Sequence, residues 1–221
     1  MKHYISKIQL FSTIKTDLII NVRTYGFIPI IISLVMFILI YLADRGFNVT
    51  THYLSVVLIF LIYSSMIINM FSRTKHDVVR FSTFPFILTN LVFARNLSTI
   101  IILSTSAFII NSIVVVFSAV TNRKIINILF YYLVLMFLML ISGNIISIKK
   151  CILKNNGKST VWLKYITIHV VLFLSGIIYL LIHKLTILQQ FYVVIITIVL
   201  YTLHILLFSK IIKKHKYNML G

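Results

Sequence analysis

Ser142, Gly143 and His204 are of the residue types that nucleophilic catalysis uses in this 221-residue chain. A Ser hydroxyl attacks only when a base lies within hydrogen-bond reach and donors await the developing oxyanion. Both side chains sit in long apolar runs, so the chemistry on offer would be intramembrane proteolysis; packing or helix hydrogen bonding is the simpler role, for His169 as for His204. Gly157-Lys158-Ser159 ends like a phosphate-binding loop, but Ile152 stands where that motif needs its first Gly, and no strand leads into it. The sequence has no Glu and only three Asp, at 17, 44 and 77, which leaves a metalloprotease without its carboxylates. The spacing of His169 and His204 suggests no metal site. Cys151 is the single cysteine, so no internal disulfide is possible.

The elements that would carry these residues are membrane helices. Hydrophobic residues make up 60% of the chain and mean hydropathy is +1.06, more apolar surface than a soluble fold of this size can bury. Apolar runs free of charge cover 27–42, 53–71, 97–120, 125–148, 165–182 and 188–208. At about 1.5 Å per residue they approach or exceed a hydrocarbon core of roughly 30 Å. Lipid leaves backbone groups nothing to bond with, so the runs are expected as six helices. The fold class expected is an all-α membrane protein, with an N-terminal amphipathic elbow helix and six transmembrane helices in one domain over 1–221.

The basic residues set the orientation. With both termini cytoplasmic, 17 of the 21 Lys and Arg fall on the cytoplasmic side and four, Arg45, Arg123, Lys124 and Lys184, fall opposite. The net charge of +18 is thereby explained by topology and contact with anionic lipid; no nucleic acid is expected as a partner. The first 26 residues lack the apolar core of a cleavable signal. The location expected is the cell membrane.

The cytoplasmic pieces are an interfacial helix over 1–26, a loop over 72–96, a second loop over 149–164 and a basic tail over 209–221. In the first, Tyr4, Ile8, Phe11, Ile14, Leu18 and Val22 fall on one stripe, with Gln9, Thr13 and Asp17 away from it and Lys7 and Lys15 at its border. Gly26 and Pro29 mark the bend into the first span. The 72–96 loop is long for a connection between membrane helices. Within it Asp77 is a good helix start before Val78, Val79 and Phe81, with Lys75, His76 and Arg80 toward water and Pro85 as the stop. The segment is read either as a solvated basic loop or as a short helix on which a partner docks, the second being the expectation.

Inside the membrane Ser104, Asn111 and Ser118 recur every seven residues around Ala107, while Ser65 and Asn69 lie on the second span. These polar residues serve either as helix-packing contacts or as a substrate path. No Asp, Glu, Lys or Arg falls within the spans as drawn, so a proton- or sodium-driven carrier would lack its ionisable relay. Energy for any transport must come from another chain.

The arrangement resembles the permease subunit of an ABC-2 type ABC transporter over nearly the whole length. That family has an elbow helix, six spans with cytoplasmic ends, and an acidic residue, a Pro and a basic residue before the third span, the places taken here by Asp77, Pro85 and Arg95. The acidic position is more often Glu in that family, the Gly that commonly follows it is absent, and the connection around His183 to Gln190 is shorter than many members carry. Small size and richness in Ile, Asn and Lys make the chain similar to Gram-positive exporters of bacteriocin or phenol-soluble modulin peptides.

What the resemblance implies is a non-enzymatic export subunit for an amphipathic peptide or other hydrophobic substrate. Its partners would be a cytoplasmic ABC ATPase that holds the ATP and Mg, a second permease subunit, identical or paralogous, and membrane lipids. Residues 75–81 would couple to that ATPase. The alternative reading is a non-transporting scaffold or immunity protein. Six spans with Ser142 and His204 also resemble a rhomboid protease, but Leu140 replaces the first Gly of that family's Gly-x-Ser-Gly pattern, and no Gly follows His204.

Overall fold

The computed structural model describes residues 2–25, 31–32, 34–35, 38, 49–68, 88–117, 122–155 and 159–220, and every regular element among them is an α-helix. The elements are α1 (Lys2–Tyr25), α2 (Val49–Ile62), α3 (Ser64–Ile68), α4 (Leu88–Phe117), α5 (Asn122–Asn155), α6 (Val161–Lys184) and α7 (Ile187–Leu220). Four apolar stretches are long enough to cross a bilayer: Val92–Ile109, Ile125–Lys150, Val161–Lys184 and Ile187–Phe208. The chain is a helical membrane protein. The expected first span falls almost wholly outside the described residues, and the second is divided into α2 and α3, whose long apolar stretch is Tyr53–Ile62.

The division at Tyr63 is a mild break. Its amide still bonds to the Ile59 carbonyl at 3.0 Å, and its own carbonyl receives the Ile67 amide at 3.1 Å. The Ser64-Ser65 pair that follows is the kind of sequence at which helices bend. Past the bend, Met66 and Ile67 remain in the core with Phe60 and Tyr63, against Leu103 of α4 and Tyr131, Leu135 and Met139 of α5. Helix α5 is central, packing on α7, α6 and α3, while α4 packs on α1, α2 and α7. Gly143 of α5 lets α3 approach: a Cβ there would collide with the Ile67 side chain.

Polar side chains tie the helices where apolar contact alone would leave register loose. Tyr63 Oη and Ser106 Oγ are 2.9 Å apart across α2–α4, and Ser104 Oγ and Tyr132 Oη 3.2 Å apart across α4–α5. At one end Tyr53 of α2 meets Tyr131 of α5 and Tyr179 of α6 edge to face, with ring centroids 4.9 and 4.8 Å apart. His183 covers the same cluster. At the opposite end, the foot, Lys149 Nζ of α5 lies 5.2 Å from the ring of the single Trp, Trp162, whose indole N–H donates to the Ser159 carbonyl at 3.1 Å.

The turn from α6 to α7 is only Leu185 and Thr186, and it is closed by its own side chains. Thr186 N–H donates to Gln189 Oε1 at 2.9 Å and Gln189 N–H to Thr186 Oγ1 at 3.4 Å, a reciprocal capping box. Gln190, 2% exposed, turns its amide back onto the Ile182 and Leu185 carbonyls at 2.9 and 3.3 Å, adding to the Leu185 N–H that Ile182 already accepts at 3.4 Å.

Three expected boundaries are corrected. Residues 88–96, read as loop, are the first turns of α4. Residues 149–155 continue α5, and 209–220 continue α7. Charge was taken to end a span, whereas a basic residue in the last turns of a membrane helix needs only a route to water or a counterion. The apolar stretches of the helices also take in ionisable residues that the expected spans left out: Arg95 in Val92–Ile109, Lys149 and Lys150 in Ile125–Lys150, and Lys164 and Lys184 in Val161–Lys184.

Candidate functional site

Arg95 is the residue from which the site builds. About two turns into α4, it carries a permanent charge at the edge of an apolar helix, where a counterion is needed. That counterion is Asp17 of α1, with Asp17 Oδ2 at 3.6 Å from Arg95 Nε and both side chains 11% exposed. Removing one partner from a buried pair strands the other charge and costs about 3–5 kcal/mol. The contact therefore fixes where α1 lies.

Helix α1 presents Ile14, Asp17 and Asn21 inward, at steps of three and four, and all three are buried. Its other side exposes Phe11, Ile19 and Val22, with Lys15 and Arg23 also exposed. The expected single stripe is thus divided. Ile14 turns to the protein and Phe11 and Val22 turn away, while Asp17, expected off the stripe, is inside. An apolar surface can be satisfied by lipid or by protein alike, but a carboxylate beside Arg95 has one good orientation, and it sets the helix rotation.

Beyond Arg95 the polar seam continues across the foot of α4. Asn96 is wholly buried, neither its amide nitrogen nor its oxygen has a hydrogen-bond partner among the described residues, and the Tyr201 hydroxyl of α7 lies beside it. Ser98 and Thr99 turn their hydroxyls onto the Arg95 carbonyl at 2.8 and 3.0 Å. One turn beyond Tyr201, the His204 ring stacks near Phe208, and its Nε2 has no hydrogen-bond partner among the described residues. Asn144 of α5 is likewise wholly buried with both amide atoms unpartnered.

The residues expected to carry function are distributed unevenly. Lys75, His76, Asp77, Val78, Val79, Arg80 and Phe81 lie outside the described residues, as do Pro85, Asn69 and Ser118. Ser65 is in α3 and Asn111 in α4, but their side chains are outside the described set. Ser104 is half-buried and spends its hydroxyl on Tyr132, the packing role for such a residue. Ser142 donates to the Met139 carbonyl of its own helix at 3.0 Å, so it shares no hydrogen bond with His204. His169 Nδ1 is 2.7 Å from the Tyr165 carbonyl, one turn back on α6. Among the described residues no group of His, Cys, Asp and Glu is placed to hold a metal.

What sequence reading missed is the seam itself: Asp17, Asn21, Asn96 and Tyr201 come from three helices far apart in the chain. The scarcity of acids was the available signal, since a chain with three carboxylates and 21 cations has few partners to give an Arg inside a helix. No family model, no curated protein and no solved structure matches this chain.

Proposed function

We propose that the chain is the permease subunit of an ATP-driven exporter of the ABC-2 type, lying in the cell membrane with six spans and both termini cytoplasmic, and moving an amphipathic peptide or other hydrophobic substrate outward. The observation that carries this reading is the Asp17–Arg95 contact, which holds the N-terminal helix against the first turns of α4, the segment that directly follows the loop read as the coupling site. A membrane subunit worked from outside needs such a continuous attachment at its foot. The lack of carboxylates in the apolar stretches also supports an external energy source. So does the clustering of Lys149, Lys150, Lys164 and Lys210 toward the ends of the apolar stretches of α5, α6 and α7 that meet at the foot, against Arg123, Lys124 and Lys184 at the other end.

In this proposal a cytoplasmic ATPase grips residues 75–81, and its closure pulls the foot of α4 between two arrangements of the bundle. A second permease copy or paralogue completes the path. Two measurements test it. Affinity purification of the full chain from native membranes is expected to bring down a stoichiometric nucleotide-hydrolysing subunit; recovery of the chain alone, stable and unaccompanied, supports a scaffold instead. Val79→Asp with Phe81→Asp is expected to leave ATP hydrolysis running while export stops, and normal export by that variant overturns the coupling role.

A further inference from the structure

We propose that Asp17 is a positioning residue that fastens α1 to the foot of α4, so that the interfacial helix is carried with α4 as a single lever; the lever part rests on the permease reading above. The placement of the acid argues for it. One of only three carboxylates in the sequence is buried against an Arg, on a helix whose exposed cations Lys15 and Arg23 are suited to lipid phosphates. A carboxylate on that outer face would meet anionic headgroups; on the inner face it meets Arg95.

Helix α1 is two-sided as a result. Ile14, Asp17 and Asn21 face the protein, and Phe11, Ile19 and Val22 face away. Apolar contact such as that through Ile14 gives α1 little reason to prefer α4 over lipid, because both surroundings are equally oily, so the buried polar residues Asp17 and Asn21 are what distinguish them. The charge pair supplies that preference and, being directional, also fixes rotation and depth. Any displacement of the foot of α4 then drags the Phe11, Ile19 and Val22 face through the headgroup layer, which makes the surrounding lipid part of the resistance to movement.

The test uses the full chain in vesicles with Cys151→Ser and spin labels at Phe11→Cys on α1 and Ile101→Cys on α4, both exposed positions. With Asp17 present the label-to-label distance distribution is expected to be narrow; Asp17→Asn is expected to broaden it, and Asp17→Arg combined with Arg95→Asp to narrow it again. A distribution unchanged by Asp17→Asn, or one that the exchanged pair fails to restore, overturns the fastening. If Asp17→Asn does not accumulate in membranes, the exchanged pair decides alone: accumulation with a narrow distribution supports the fastening, and failure to accumulate overturns it. In the presence of the co-purified ATPase, Asp17→Asn is expected to lower export roughly tenfold at unchanged ATPase binding. Distances that behave as expected without any ATPase companion leave the fastening standing and remove the permease reading. Full export by Asp17→Asn with a broadened distribution removes the lever.

Discussion

Gly143 of α5 faces Ile67 of α3, and it has no room to grow. Gly143→Ala sets its new methyl against the Ile67 side chain, and overpacking of this kind costs about 1–3 kcal/mol. Thermal unfolding in detergent is expected to register a lower midpoint. Ile67→Leu, which removes the Cγ2 branch, is expected to recover part of the loss when combined with it. Gln190 is the second sensitive residue: Gln190→Leu removes the side-chain donor from the Ile182 and Leu185 carbonyls, of which Ile182 keeps the Leu185 N–H at 3.4 Å, for a loss of about 1–3 kcal/mol. At this scale the sequence was only partly legible. Periodicity placed Ile14 on an apolar stripe but put Asp17 outside, because the stripe records which residues are oily and carries no information on the Arg 78 positions later that claims the carboxylate.

Among elements, the hydroxyl pairs decide how α4 is set between its neighbours. A double-mutant cycle of Tyr63→Phe and Ser106→Ala is expected to give a coupling of about 0.6 to 1.7 kcal/mol, the range for hydrogen bonds between membrane helices. Coupling near zero would mean that α2 and α4 hold their register by apolar packing alone. Helix existence was legible from the runs of apolar residues, and their boundaries were not. Lys149 and Lys210 looked like stops but lie within α5 and α7, and Arg95 lies inside α4 because Asp17 compensates it. The Thr186-x-x-Gln189 box was present in the sequence as a start signal for α7 and needed no tertiary knowledge to find.

For the whole molecule, the distribution of basic residues makes a topological prediction. Single cysteines at Arg45 and Lys184 in the Cys151→Ser background are expected to react with impermeant thiol reagents from outside intact cells, and one at Lys150 only after permeabilisation. Reversed labelling would refute the orientation and with it the cytoplasmic position of the foot. The buried seam of Asp17, Asn21, Asn96 and Tyr201 was illegible in advance because each member is an ordinary residue on its own helix. Only the packing of α4 on α1 and α7 gathers them.

The two-residue turn between α6 and α7 has a consequence for how the protein is made. With Thr186, Gln189 and Gln190 knitting the chain reversal shut, these two segments have no slack to settle separately. A reversal this short lets neither segment cross the bilayer without the other, so residues 159 and 210 are expected on the same side, which labelling of single cysteines at the two positions would check.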